Sequence, residues 1–486
     1  MKPTIKIKTE IMAVCLCTTV SVSVAQECLP EILNRFDGIP ELWDDNDAIS
    51  NGGINCLQYF DSGSGPELYA GGKFNKTNDD QAFLGNGIAK WDGTQWSSLL
   101  GGVVGGGGAG LNLMTVSTMT VWDDGTGEAL YIGGNFNFAG GVQTNGLAKW
   151  DGTSYSQLAG GVHTGSGPIL PTDLTPFDDG TGEALYIVGN FSFVDNGPFL
   201  GGRFAKWDGT SLTQVPGGGS QLPTEGGRYL SGAVTSAEVY DDGTGPALYL
   251  AGGFSLVDGN TGTIIGSKFA KWDGTELFPL GNGSTNGVGS AQVVDLLVFD
   301  DGSGSKLYAC GAASILGISR WDGSSWEAIS DDLFSSDGQS PSLQSIEVMD
   351  LGDGPTLYTY LGEYFIRWDG EHWYIVNYGY SGFGVVNTFT SAIEDGQPVL
   401  YTGGTFEYSV ANETAFDTRG IVKTSFCTQD SCPADLTGDG SLNFLDVSEF
   451  LSAFGSMDPS ADFNTDGSFN FLDVSEFLAA FSEGCP

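Results

Sequence analysis

The sequence predicts an all-β fold, a seven-bladed β-propeller of four-stranded blades, followed by a small α-helical module built from two copies of one loop-helix unit. Three observations predict it. The tripeptide Trp-Asp-Gly begins at Trp91, Trp150, Trp207, Trp272, Trp321 and Trp368, at steps of 59, 57, 65, 49 and 47 residues. Upstream of each lies a second signature, an Asp/Gly turn and then Leu-Tyr, running from "YFDSGSGPELYAGG" through "VWDDGTGEALYIGG" to "AIEDGQPVLYTGG" and counting seven units. Finally, a sixteen-residue acidic motif absent from the rest of the chain occurs twice near the C-terminus, at Asp435 and again at Asp462.

Residues 1–25 read as a secretory signal peptide. Lys2, Lys6 and Lys8 precede the apolar "IMAVCLCTTVSVSV", and Ser23 and Ala25 offer a small-x-small cleavage site before Gln26. The apolar run falls short of the ~20 residues a membrane span needs, and no later run approaches it. "VAQEC" is a poor lipoprotein cleavage site, so Cys28 is not read as a lipid anchor. The expectation is a chain secreted in soluble form, extracellular or held at a cell surface.

Within residues 26–427 each unit translates into four strands. An apolar run such as "AQVVDLLVF" is followed by an Asp/Gly turn, "KLYAC", a variable loop, "LGISRWDG" and a short strand such as "SSWEAIS". Asp and Gly accept the positive φ of tight turns. Four strands make one blade, and a ring of seven leaves only short edges. A stacked solenoid is the alternative, because repetition alone does not reveal closure. Arg35–Trp43, "RFDGIPELW", reads like "KWDGTQWSSL", while the last unit decays at "RGIVKTSF". This N-terminal segment is therefore expected to complete the seventh blade.

The repeated residues have structural readings. The Trp of Trp-Asp-Gly reads as a blade-to-blade packing residue rather than a sugar-stacking one. The "DDGTGE" turns, as at Asp123–Glu128, read as hairpin turns, since they lack the alternate oxygens of a calcium loop. "GGVVGGGGAG" at Gly101–Gly110 has no Lys-Ser/Thr and no following helix, so it reads as a flexible connection between blades and not as a phosphate loop. Loops after the second and fourth strands, such as "NFNFAGGVQTN", are expected to share one binding face. The paired glycines after the second strand, with the aromatic-Asp-Gly turn and a further aromatic, resemble kelch-like propellers of the galactose-oxidase type. That resemblance implies architecture and not activity.

The tail carries "DLTGDGSLNFLDVSEF" from Asp435 and "DFNTDGSFNFLDVSEF" from Asp462. A twelve-residue calcium loop supplies oxygens from positions 1, 3, 5, 7, 9 and 12, with Gly at position 6. Asp435, Thr437, Asp439, the Ser441 carbonyl, Asn443 and Asp446 fill these positions in the first copy, with Gly440 at the turn. Asp462, Asn464, Asp466, the Ser468 carbonyl, Asn470 and Asp473 fill them in the second, with Gly467. Two Ca²⁺ sites are expected, the first weaker because Thr437 is neutral; an acidic turn before a helix is the competing reading. "CPA" is too short for an entering helix, so the unit is loop then helix rather than an EF-hand. Val447, Phe450, Leu451 and Phe454, and likewise Val474, Phe477, Leu478 and Phe481, recur at i, i+3, i+4 and i+7, giving each helix one apolar stripe.

Residues 432–486 thus resemble a dockerin, the duplicated calcium module that binds cohesin domains, joined to the upstream domain by a linker at residues 428–431. The Gly484-Cys485 ending is similar to that of GC-type dockerins of bacterial secreted proteins, and Asp at position 12 is usual in that family. The resemblance implies a cohesin-like partner contacted by Phe444, Leu445, Leu451 and Ser452, mirrored by Phe471, Leu472, Leu478 and Ala479, in either of two orientations. In the competing reading the Phe and Leu pairs pack the module's own small core.

Composition narrows the rest. A net charge of −42 and a pI near 4.1 exclude nucleic acid and anionic membrane surfaces as partners and suit divalent cations. The tail has ten acids and no bases, so it should loosen without calcium. Beyond the signal segment six cysteines remain. Cys432 and Cys485 bracket the tail module and Cys28 and Cys427 bracket the propeller, which makes these two pairs the disulfide candidates among fifteen pairings. At least one of Cys56 and Cys310 is expected to be an inert buried thiol. With His163 and His372 alone, both read as exposed loop or turn positions, a multi-histidine copper or zinc centre is excluded. No catalytic residue is nominated. Two functions remain: a non-catalytic propeller presenting a glycan- or protein-binding face, held in an assembly by its dockerin, or a dockerin-borne polysaccharide-degrading glycosidase or lyase using paired carboxylates.

Overall fold

A computed structural model describes residues 53–74, 86–105, 114–164, 170–195, 197, 202–219, 227–280, 292–311, 317–329, 343–351, 354–361, 364–368, 370–378, 385–394, 397–408, 418–425, 434, 436, 442–456, 461, 463 and 468–483. Apart from two helices in the tail, its regular elements are strands. Among the described residues, seven antiparallel sheets of three to five strands follow one another along the chain, with two smaller sheets between neighbours.

The first sheet contains Gly53–Asp61, Pro66–Lys73, Ile88–Trp91 and Trp96–Ser98, and the second Thr115–Asp123, Glu128–Asn135, Leu147–Trp150 and Tyr155–Gln157. The third contains Leu170–Asp178, Glu183–Asn190, Phe204–Trp207 and Leu212–Gln214. The fourth contains Val234–Asp241, Pro246–Asp258, Ile264–Trp272 and Leu277–Pro279, with Arg228–Ser231 added on its second strand. The fifth contains Val293–Asp300, Ser305–Gly311, Ile318–Trp321 and Trp326–Ala328, and the sixth Ile346–Asp350, Pro355–Leu361, Tyr364–Trp368 and Trp373–Tyr378. The seventh contains Val386–Glu394, Gln397–Tyr408 and Thr418–Ser425, three described strands where four are expected. The segment expected to complete it, Arg35–Trp43, lies outside the described residues.

In each of the first five sheets the first and second strands are joined by a turn whose first Asp folds back on its own backbone. Asp123 Oδ1 accepts the N–H groups of Gly125 and Gly127, both at 2.8 Å, and Asp61, Asp178, Asp241 and Asp300 repeat the arrangement. The second Asp of the turn pairs instead with the next two strands. Asp124 Oδ2 accepts from Tyr131 Oη at 2.8 Å and from Lys149 Nζ at 2.6 Å, and Asp179 with Tyr186 and Lys206, and Asp242 with Tyr249 and Lys271, do the same. These turns are therefore hairpins with their carboxylates already engaged.

Adjacent sheets share aromatic seams. Tyr69 of the first sheet clusters with Trp150 of the second, Tyr131 with Trp207 of the third, and Tyr186 with Trp272 of the fourth. Tyr249 likewise joins Trp321, Tyr308 joins Trp368, and Tyr401 of the seventh sheet joins Trp91 of the first. All six tryptophans are buried, so the packing reading of the repeated Trp holds. Gly152 fits the same seam: its φ is +94° and an added Cβ would come within 2.5 Å of Ser62 Cβ in the preceding sheet.

The first strands also touch in succession, and the first strand of the seventh sheet returns to that of the first. Six of these strands carry a β-bulge at one equivalent place, between Ile54 and Cys56 in the first and between Val386 and Thr388 in the seventh; the sixth sheet lacks it. A bulge re-aims the extra side chain. Here it donates to the next sheet: Asn55 Nδ2 to Val116 O at 3.0 Å, Ser117 Oγ to Pro171 O, Thr172 Oγ1 to Val234 O at 2.8 Å and Thr235 Oγ1 to Val293 O at 2.8 Å. Asn387 Nδ2 donates to Ile54 O at 2.9 Å, repeating the link between the last first strand and the first one. A linear stack would leave both groups apart.

In the tail, the helices α1 (Phe444–Ser456) and α2 (Phe471–Glu483) pack through Phe450 and Phe477, whose rings stack with centroids 4.0 Å apart and planes 3° from parallel. Ala434, Ala453 and Ala461 complete the buried centre, with Val447, Phe454, Val474 and Phe481 partly buried against it. Leu451 and Leu478, assigned to the apolar stripes by their spacing, are instead exposed by 60% and 52%. At 100° per residue each sits beyond the edge of the arc that Phe450 and Phe454, or Phe477 and Phe481, turn inward.

Candidate functional site

The tail is the first place where exposed side chains need an explanation. Phe444 and Leu445 open α1 with 78% and 58% of their surface exposed, and Phe471 and Leu472 open α2 with 79% and 56% exposed. Leu451, Ser452, Leu478 and Ala479 are exposed as well. The reading in which the Phe and Leu pairs fill the module's core is overturned: Phe450 and Phe477 fill it, and the pairs at the helix starts point outward. Each helix thus presents the same apolar set to solvent, related by the near-symmetry of the stacked phenylalanines.

Local hydrogen bonds explain why the helices begin there. Asn443 Oδ1 accepts the Leu445 N–H at 2.8 Å while Asp446 Oδ2 accepts the Asn443 N–H at 2.9 Å. Asn470 and Asp473 repeat this capping box at 2.9 and 2.7 Å. Asn470 Nδ2 also donates to Ser468 O at 2.9 Å. Both aspartates are fully buried, in a segment with no basic residue. Carboxylate and amide oxygens are the donor type that a hard divalent cation takes. Of the twelve expected ligands, Asn443, Asp446, Ser468, Asn470 and Asp473 are described; Asp435, Thr437, Asp439, Ser441, Asp462, Asn464 and Asp466 lie outside the described residues. Among the described residues no group of three or more His, Cys, Asp or Glu could hold a metal ion.

The second place is the face where the connections run. Val103–Val104, which follows the first sheet, pairs with Phe138–Ala139, and the latter pairs with Val142–Gln143 in the second sheet's long loop. Val162–His163 pairs with Phe193–Val194 in the same way, and Arg228–Ser231 pairs with the long second strand of the fourth sheet. Loops after the fourth and second strands therefore do meet on one face. The expectation that Gly101–Gly110 is a flexible connection is corrected over its described part. Val103 is fully buried and its strand clips two sheets together, because glycines at 101, 102 and 105 adopt positive φ around it. His163, read as an exposed loop residue, is a half-buried strand residue stacked on Phe193 at 4.7 Å and 6°. His372 is half-buried too, edge-on to Tyr374.

The charged pairs and thiols are accounted for. Burial opposes ionisation of Asp124, yet Lys149, Thr126 and Tyr131 hold its carboxyl down to about 2. Cys56 is half-buried and Cys310 buried, both are free, and desolvation pushes both thiols up, so neither is activated as a thiolate. Cys28, Cys427, Cys432 and Cys485, the disulfide candidates, lie outside the described residues. Sequence reasoning missed the bulge donors Asn55, Ser117, Thr172, Thr235 and Asn387. Their only trace is a polar residue recurring early in otherwise apolar first strands. It also missed the carboxyls Asp173, Glu238, Asp295 and Glu347, which carry no repeat signal.

No protein-family model matches the chain, and no curated protein is similar to it. Among solved structures, the chain is similar to the extracellular domain of a hybrid two component system from B. thetaiotaomicron, at 13% identity and a TM-score of 0.37, covering 79% of this chain and 42% of that one. It is also similar to a Trypanosoma rangeli sialidase in complex with 2,3-difluorosialic acid, at 12% identity and a TM-score of 0.35, covering 86% and 59%. A third is the Malassezia sympodialis allergen Mala s 1, at 10% identity and a TM-score of 0.27, covering 77% and 91%. The chain spans less than half of the first of these. No described helix is long and apolar enough to cross a membrane.

Proposed function

We propose that the seven sheets are the blades of one closed propeller without catalytic activity, secreted and tethered by a C-terminal dockerin. In this reading the dockerin binds two Ca²⁺ ions and docks on a cohesin-like partner in an extracellular or cell-surface assembly, and the clipped loop face of the propeller meets a glycan or a protein. The observation that carries it is the duplicated exposed set Phe444, Leu445, Leu451 and Phe471, Leu472, Leu478, beside two fully buried aspartates. Exposing six large apolar side chains costs solubility unless a partner covers them. Calcium would bring positive charge to Asp446 and Asp473 at the helix starts, fixing the direction in which both apolar sets point.

The test compares residues 26–486 with a chain stopping at Ser431, each used to retrieve partners from secreted and cell-surface fractions, with calcium and with chelator. Retention by the long chain alone, only with calcium, and lost in Phe444→Ala combined with Phe471→Ala, is the expected result. Retention of the same partner by both chains regardless of calcium would make the propeller the binding element and overturn the dockerin reading.

A further inference from the structure

The first strands of the third to sixth sheets hold four carboxyls with no counterpart in the other three sheets. Asp173 and Asp295 stand just after the bulge, where the first, second and seventh sheets place Cys56, Thr118 and Thr388. Glu238 and Glu347 stand opposite the buried tyrosine of the second strand, where the same three sheets place Gln58, Thr120 and Thr390.

These groups bridge sheets. Asp173 Oδ2 accepts the Ala237 N–H at 2.9 Å and lies 3.2 Å from Ser236 Oγ. Asp295 Oδ1 lies 3.4 Å from the same hydroxyl, and its Oδ2 accepts the Ile346 N–H at 3.2 Å. Ser236 Oγ itself accepts the Leu296 N–H at 3.2 Å. Each carboxyl also accepts the N–H of the residue after it, Asp173 Oδ1 from Leu174 at 2.8 Å and Asp295 Oδ1 from Leu296 at 2.9 Å. A hydroxyl has one proton, so Ser236 can donate to only one of the two carboxyls, and the other makes a hydrogen bond to that hydroxyl only by holding a proton of its own. Glu347 has no hydrogen-bond partner among the described residues, and the charges acting on it are Asp295 and Glu238. Those acting on Glu238 are Asp173 and Asp295. Cys310, packed against Asp295 and Glu347, has its thiol pushed up by burial and adds no positive charge.

We propose that Asp173, Glu238, Asp295 and Glu347 form a proton-held latch, with the first strands of the third to sixth sheets closely packed while the cluster carries protons and loosened as it ionises. All four side chains are half-buried rather than fully enclosed; partial desolvation, and after it mutual repulsion, pushes Glu238 and Glu347 up to about 8, and desolvation first pushes Asp295 up to about 7 and raises Asp173. In an unfolded chain these groups titrate near ~4. The folded state therefore binds more protons. Its stability is full below the unfolded values and is lost as pH rises through the folded ones, levelling off above about 8.

Hydrogen exchange on residues 26–486 in calcium, from acidic to mildly alkaline pH and corrected for the intrinsic rate, tests this. Peptides covering Leu170–Asp178, Val234–Asp241, Val293–Asp300 and Ile346–Asp350 are expected to lose protection about tenfold more than those covering Gly53–Asp61 and Thr115–Asp123. Asp295→Asn combined with Glu347→Gln should abolish the difference. Equal losses in all sheets, or an unchanged response in that variant, would overturn the latch. Should the double variant not fold, Glu238→Gln alone is expected to shift the pH midpoint of the loss, and an unmoved midpoint counts against the proposal.

Discussion

The side chains that hold this molecule together work in matched pairs across a boundary, and each pair predicts its own loss. Trp207 is buried against Tyr131 of the preceding sheet, so Trp207→Ala should destabilise by about 3 to 5 kcal/mol in denaturant unfolding. Asp124 predicts an acid limb. Its carboxyl is held down to about 2, below its unfolded value, so the stability it contributes is present above ~4 and lost as pH falls through 2. Asp124→Asn should flatten that limb in a pH series of thermal unfolding, while an unchanged limb would assign acid unfolding to other groups. At the helix starts, Asp446→Ala and Asp473→Ala each remove half of a capping box and should cost about 1 kcal/mol of tail stability without calcium. If these residues also ligate calcium, the loss measured with calcium will be larger.

Among elements, the clips are the least expected. Short strands such as Val103–Val104 and Phe138–Ala139 are two residues long, below what any pattern search detects, yet they join sheets that otherwise meet only through side chains. Val103→Asp places a charge where no water reaches, so it should release the clip and expose residues 101–105 to limited proteolysis. Resistance equal to the parent would show that the clip contributes nothing. The bulges serve a related end. In five of the six bulged first strands they lift a polar side chain out of register and aim it at a neighbouring sheet's backbone, the fifth sheet having Val294 at that place, and the glycine pair that follows Leu-Tyr leaves room for them. An added Cβ on Gly134 would come within 2.2 Å of Thr115 O.

For the whole molecule, closure is the decisive property. Asn387 repeats between the seventh and first sheets the contact that Asn55 makes between the first and second, at 2.9 against 3.0 Å. Asn387→Ala and Asn55→Ala should therefore each cost a similar ~1 to 3 kcal/mol, since each strands a buried carbonyl. A neutral Asn387→Ala beside a costly Asn55→Ala would mean that the ring is open in solution. The tail has its own core, so its thermal transition should move with calcium while that of the sheets does not.

By itself the sequence determined the number of repeating units, the hairpin turns, the buried tryptophans and the two loop-helix copies, because each rests on local chemistry. Asp and Gly make turns wherever they adjoin, and a 3.6-residue period makes a helix face. Tertiary structure alone decided which of those residues face outward and which face another sheet. Leu451 and Phe450 are neighbours in the chain, yet one is exposed and the other stacked on Phe477, because only the position of the second helix defines an inside. Asp173, Ser236 and Asp295 are some sixty residues apart in succession and look like isolated polar accidents in three strands. They become one cluster only when the first strands are brought side by side, which no local pattern can report.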